Sequence, residues 1–83
     1  MQSLKTVSID LHGMQRFDAE CALKDFLNNL SPNVNNVEVI HGIGTGVLKQ
    51  MVAEFYHYRI EHRAQCIGNA GKTIYYIKKA SSK

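Results

Sequence analysis

The chain reads as an α+β domain, a two-layer α/β sandwich of order βαβαββ. Two observations carry that reading. Short stretches of β-branched residues alternate with polar ones at period two, and longer stretches repeat apolar residues at i, i+3 and i+4. The two patterns take turns along the chain before ending in a pair of strands. A strand, a helix and a second strand in sequence make a parallel unit, with a right-handed crossover in about 98% of cases. Two such crossovers running the same way leave both helices on one face of a four-stranded mixed sheet. The other face stays open.

The first strand lies in residues 5–11. Val7, Ile9 and Leu11 point one way, and Ser8, Asp10 and His12 the other. Gly13 ends it. Asp18 is placed to cap the first helix, with Phe17 just before the cap packing back on it. Ala19, Ala22, Leu23, Phe26, Leu27 and Leu30 make the buried stripe, and Ser31-Pro32 stops the helix. Residues 36–41 form the second strand. Thr45 or Gly44 would cap the second helix, whose stripe is Val47, Leu48, Met51, Val52 and Phe55. That helix is expected to fade through Tyr56-His57-Tyr58-Arg59. Ala64 to Ile67 and Thr73 to Ile77 would pair as a hairpin across Gly68-Asn69-Ala70-Gly71.

The totals set bounds. Eighty-three residues make a single domain, with a core from about 5 to 78 and a solvated tail at 79–83. A domain of this size buries only about 60% of its unfolded surface, so its stability is modest. No apolar run approaches the roughly 20 residues of a membrane span, and the first residues carry no signal-peptide pattern. Cys21 and Cys66 belong to no ligand motif, so they read as two unbridged thiols in a reducing compartment, with Cys21 packed as a small apolar residue. The expected location is cytoplasmic, away from any membrane. A net charge of +3 suits a polyanionic partner but proves little about one.

The chemistry concentrates at two strand ends. Ile9-Asp10-Leu11-His12-Gly13 and Val39-Ile40-His41-Gly42 share one grammar, a strand that stops at His-Gly. Parallel neighbours would bring both ends to one edge, where open α/β sheets gather their ligands. After His41 come Gly42, Gly44, Thr45 and Gly46, a turn richer in glycine than a plain connection needs. A helix N-terminus offers free N–H groups and the positive end of the dipole, and so binds phosphate. The loop is neither GxxxxGK[ST] nor GxGxxG. Gly42, Gly44, Thr45, Gly46 and Lys49 are the candidate phosphate-binding residues. His12 and His41 are candidate proton carriers, and Asp10 would orient His12 or help hold a Mg²⁺ or Mn²⁺ ion. With His41 added, the same residues would be three metal ligands. Lys49, Arg59, Arg63, Lys72, Lys78 and Lys79 would track a phosphate backbone, with Tyr75 or Tyr76 stacking on bases. His57 and His62 read as surface residues. The bland alternative is that the histidines cap local backbone and the face is merely solvated.

These residues resemble the Smr (small MutS-related) domain. Ile9-Asp10-Leu11-His12-Gly13 is similar to that family's LDLHG motif, and His41-Gly42-Ile43-Gly44-Thr45-Gly46 with Leu48 to its HGxGTG…L motif. Gly71 to Ile77 is similar to its closing Gly-x-Thr strand. The resemblance covers Ile9 to Ile77. It implies a sandwich similar to the C-terminal domain of a translation initiation factor, and nucleic-acid binding. Some members nick DNA or cleave RNA, and others sit at the end of MutS-like or pentatricopeptide proteins. Asp10 and His12 would be the catalytic pair, and His41, Gly42, Gly44, Thr45 and Gly46 the loop that grips the backbone. Ile43 stands where members often carry Lys. Lys49 replaces an Arg fork by a point charge. The expectation is a nucleic-acid-binding module with endonuclease activity. The alternatives are a non-catalytic DNA- or RNA-structure binder of a MutS-like or ribosome-associated protein, and a partner-binding domain with no nucleic acid.

Overall fold

The computed structural model describes residues 5–66 and 68–78. Ile67, Lys79 and the rest of the expected tail lie outside the described residues. The elements run β1 (Thr6–Asp10), α1 (Arg16–Asn28), β2 (Asn36–Ile40), α2 (Val47–Glu54), β3 (Ile60–Gln65) and β4 (Lys72–Ile77). The sheet order is β1-β2-β4-β3. β1 and β2 are parallel, with Asp10 opposite Ile40. β4 runs antiparallel to both β2 and β3, which makes the four-stranded sheet mixed.

Alternation sets the two faces. Leu11, Val37, Val39, Tyr75 and Ile77 turn toward the helices and pack on Ala19, Leu23, Leu27, Met51 and Val52 in one cluster. Burying a side chain of this size stabilises by roughly 1.5–3 kcal/mol. Both helices therefore cover one face. Asp10, Glu38, Lys72 and Tyr76 have the opposite parity and line the open face, where His62 stacks on Tyr76 at 4.5 Å.

Several boundaries differ from the sequence pattern for local reasons. α1 starts at Arg16, because the Ala19 N–H already donates to the Gln15 carbonyl at 2.9 Å. Asp18 sits inside the first turn, where its charge suits the dipole, and Phe17 is 72% exposed rather than packed. The helix ends at Asn28, one turn short of Pro32. Cys21 is exposed, since two residues past Ala19 lies well off the apolar stripe. α2 is capped by Gly46, whose φ of +89° reverses the chain, and not by Gly44 or Thr45. It stops at Glu54, with Phe55 already extended. The Ile60 N–H then donates to the His57 carbonyl, making a turn in the stretch where the helix was expected to fade. That turn starts β3 at Ile60, four residues before the expected Ala64.

Candidate functional site

The tips of β1 and β2 and the start of α2 meet at one edge. Leu11 N–H donates to the Ile40 carbonyl at 2.7 Å, which carries the parallel pairing past the end of β1. The next step sets His12 beside Gly42. A Cβ at Gly42 would lie 3.2 Å from His12 Cβ, and its φ is +76°, so both space and backbone demand glycine there. Gly71, across from them, has the same tight fit: an added Cβ would be 3.2 Å from Gly42 Cα. The family-like Gly at the head of β4 is thus a close-approach residue.

Asp10 and His12 form a pair. Asp10 Oδ1 accepts from the His12 backbone N–H at 3.0 Å and from His12 Nδ1 at 2.7 Å. A carboxylate can only accept, so Nδ1 carries the proton and Nε2 holds the free lone pair. The side-chain bond to His12, helped by the backbone one, holds the Asp10 carboxyl below the usual carboxylate range. Both side chains are more than half exposed. A base held by a carboxylate through its far nitrogen is the arrangement that orients catalytic imidazoles.

His41 is placed differently. It shares the parity of Val37 and Val39, turns inward and is 4% exposed. Nδ1 lies 2.9 Å from the Gly42 carbonyl and Nε2 2.9 Å from Thr73 Oγ1. The carbonyl requires Nδ1–H, so Nε2 accepts from the threonine hydroxyl. Both ring nitrogens are occupied in holding the loop to β4. His41 borders the same cavity as His12, but it positions the loop rather than offering a lone pair.

The loop divides similarly. Gly42 N–H donates to the Gly71 carbonyl at 3.0 Å, so this amide serves the fold, not an anion. Beyond it, Gly44, Thr45 and Gly46 lead into α2. Thr45 Oγ1 accepts weakly from Val47 N–H at 3.4 Å. The first turn of α2 has no acidic residue. It carries Lys49 instead, a cation at the positive end of the dipole. In α1 the same position of the turn is balanced by Asp18. The dipole and Lys49 together leave this helix start electropositive.

Between this loop and residues 13–16 lies a cavity of about 460 Å³. His12, Arg16, Thr45 and Lys49 are among its polar lining, and among the described residues no Asp or Glu lines it. Arg16 is tied to Glu20 at 3.3 Å, an exposed pair that costs little to open.

Two residues assigned to the wider nucleic-acid patch, Tyr75 and Arg63, are engaged within the fold. Tyr75 is fully buried, and its hydroxyl donates to the Val52 carbonyl at 2.7 Å. Its parity with Thr73 and Ile77 sends it to the core, and burial pushes its phenol pKa up. Arg63 faces the same side. Its Nη1 donates to the carbonyls of Ala53 at 2.8 Å and Val52 at 3.3 Å, closing the C-terminus of α2 over the Tyr75 ring. Lys72 lies on the open face, 3.3 Å from Glu38. Tyr76, not Tyr75, is the tyrosine on that face. Asp10 and His12 are the two candidate ligands for a divalent cation, and among the described residues no three His, Cys, Asp or Glu side chains gather as a metal group.

His57 was read as a surface residue and is 7% exposed. Nδ1 accepts from Arg59 N–H at 3.1 Å, so Nε2 carries the proton and donates to Asn28 Oδ1 at 2.8 Å. It ties the turn after α2 to the end of α1. Desolvation, with Arg59 and Lys24 nearby, pushes its pKa down. No local sequence signal marks this role, because the partner Asn28 lies 29 residues away.

Fold and edge together define a class: a βαβαββ two-layer domain with an Asp–His pair and a glycine loop at neighbouring parallel strand tips. The Smr domain family model matches residues 9–78, and the chain belongs to the Smr domain family. It is 36% identical over 66 residues to Endonuclease MutS2 of Streptococcus pyogenes serotype M49 (strain NZ131), covering 76% of this chain and 8% of that protein. Against Endonuclease MutS2 of Lactococcus lactis subsp. cremoris (strain MG1363) it is 34% identical over 76 residues, covering 84% of this chain and 10% of the relative. The chain thus spans about a tenth of the curated relatives it matches. The crystal structure of the Smr domain of Thermus thermophilus MutS2 has the same fold, with a TM-score of 0.66 and 24% identity over 86% of this chain and 96% of that one. Among the described residues no helix is long and apolar enough to cross a membrane.

Proposed function

We propose that this domain binds a nucleic-acid phosphodiester at the β1–β2 edge and cleaves it, with His12 as the proton-transfer group. The observation that carries the reading is the Asp10–His12 pair, with Nδ1 held at 2.7 Å and Nε2 left free beside a helix start that lacks an anion. In this reading the amides of Gly44 to Lys49 and the Thr45 hydroxyl hold the phosphate. His12 Nε2 takes a proton from an attacking water or 2′-hydroxyl. That oxygen forms the new P–O bond as the leaving oxygen departs and takes a proton from solvent. Amide donors aimed at the developing negative charge would supply the larger part of the acceleration. The relatives' name, endonuclease, supports the same class of reaction.

The test is direct. Purified protein is incubated with supercoiled plasmid and with single-stranded RNA, with Mg²⁺ and with EDTA. Nicked circles or RNA fragments that disappear for the D10A/H12A double variant support cleavage. Undiminished products from that variant refute the assignment.

A binding module without cleavage is the second reading. It is favoured by His41, whose two ring nitrogens are both engaged and leave the site a single free imidazole. It predicts salt-sensitive retention on both substrates and no products.

A further inference from the structure

The mouth of the cavity is apolar where a duplex-backbone site would be basic. Ile43 is 72% exposed, Val47 49% and Met14 41%, and all three line the cavity. Phe17, 72% exposed, follows directly after Arg16 of the same lining. Large apolar side chains left this open have a cost in water, and clustered ones mark a binding surface. Met14, Ile43 and Val47 share this lining with Arg16, Lys49 and His12, and among the described residues no carboxylate joins them. Its roughly 460 Å³ falls within the usual range of about 300–1,000 Å³ for small-ligand sites. A phosphate alone would leave the apolar part unused. A base paired inside a duplex keeps its face stacked and out of reach.

We infer that this cavity takes one nucleotide of an unpaired strand, its phosphate on the α2 amides and its base against Met14, Ile43 and Val47. The inference rests on the nucleic-acid reading above and narrows it to strands with exposed bases. Ile43, on the loop between the glycines, is the side chain that sets this preference.

Three fluorescent probes of equal length test it by anisotropy: a single strand of mixed sequence, the same strand with abasic sites throughout, and a duplex. The expected order is single strand tightest, by roughly tenfold over both others, as contact with one base face supplies. Ile43→Ser, on an exposed loop outside the core, should weaken the single strand roughly fivefold and leave the abasic strand unchanged. Equal binding of all three probes, or tightest binding of the duplex, overturns the inference and leaves the phosphate reading standing. So does a loss on Ile43→Ser that is the same for the abasic strand. Absence of salt-sensitive binding to any probe overturns both.

Discussion

His12 and His41 illustrate how parity decides a residue's role. Both stand at the end of a parallel strand, and sequence spacing treats the two His-Gly endings as equivalents. They are one step out of phase. His12 shares the outer face with Asp10, while His41 shares the inner face with Val37 and Val39. That difference was legible in the alternation itself; the shared His-Gly ending masked it. The result is one exposed imidazole beside a carboxylate and one buried imidazole bonded at both ring nitrogens. Thr73→Val should therefore destabilise by about 1–3 kcal/mol, the cost of leaving His41 Nε2 buried without a donor, as read by urea unfolding. His57 carries a pH prediction. Its pKa is lowered on folding, so the unfolded chain binds the extra proton. The stability it contributes is complete above the free-histidine value of 6.5 and is lost as pH falls through the lower folded value. Thermal unfolding from about pH 7.5 to 5.5 should show a falling midpoint, and His57→Gln should flatten that fall.

At the level of elements, the helix and strand order was readable because each stripe is long enough to set its period. The boundaries were not, because they depend on single hydrogen bonds. α2 ends at Glu54 and β3 starts at Ile60 because of a turn around His57, whose partner Asn28 lies 29 residues away. No local pattern encodes such a partner. The end of α2 also explains two residues assigned to nucleic acid by composition. Tyr75 and Arg63 both donate to carbonyls in its last turn. Tyr75→Phe should cost about 1–2 kcal/mol, or roughly 4–8 °C per kcal/mol in Tm for a domain this small. It should leave oligonucleotide affinity within about twofold. A loss of affinity at unchanged Tm would return Tyr75 to the interface.

For the molecule as a whole, the fold separates a packed face from a polar edge. One face of the sheet is sealed by two helices, and the Asp10–His12 pair and the glycine loop sit where β1, β2 and α2 come together, with β4 bracing the loop through Gly71 and Thr73. Nucleic-acid binding through a few amides and cations predicts a modest salt slope. Lys49→Ala should weaken binding and reduce the slope of log K against log [salt] by about one contact's worth, near 0.7–0.9. The central claim is that His12, held by Asp10, moves the proton while the loop holds the phosphate. It is tested most directly by measuring affinity and cleavage together for His12→Ala. Cleavage should fall by about 100-fold or more, as general acid–base groups contribute, with affinity within about twofold of the parent. Cleavage by the variant at the parent rate, with binding intact, would contradict the claim.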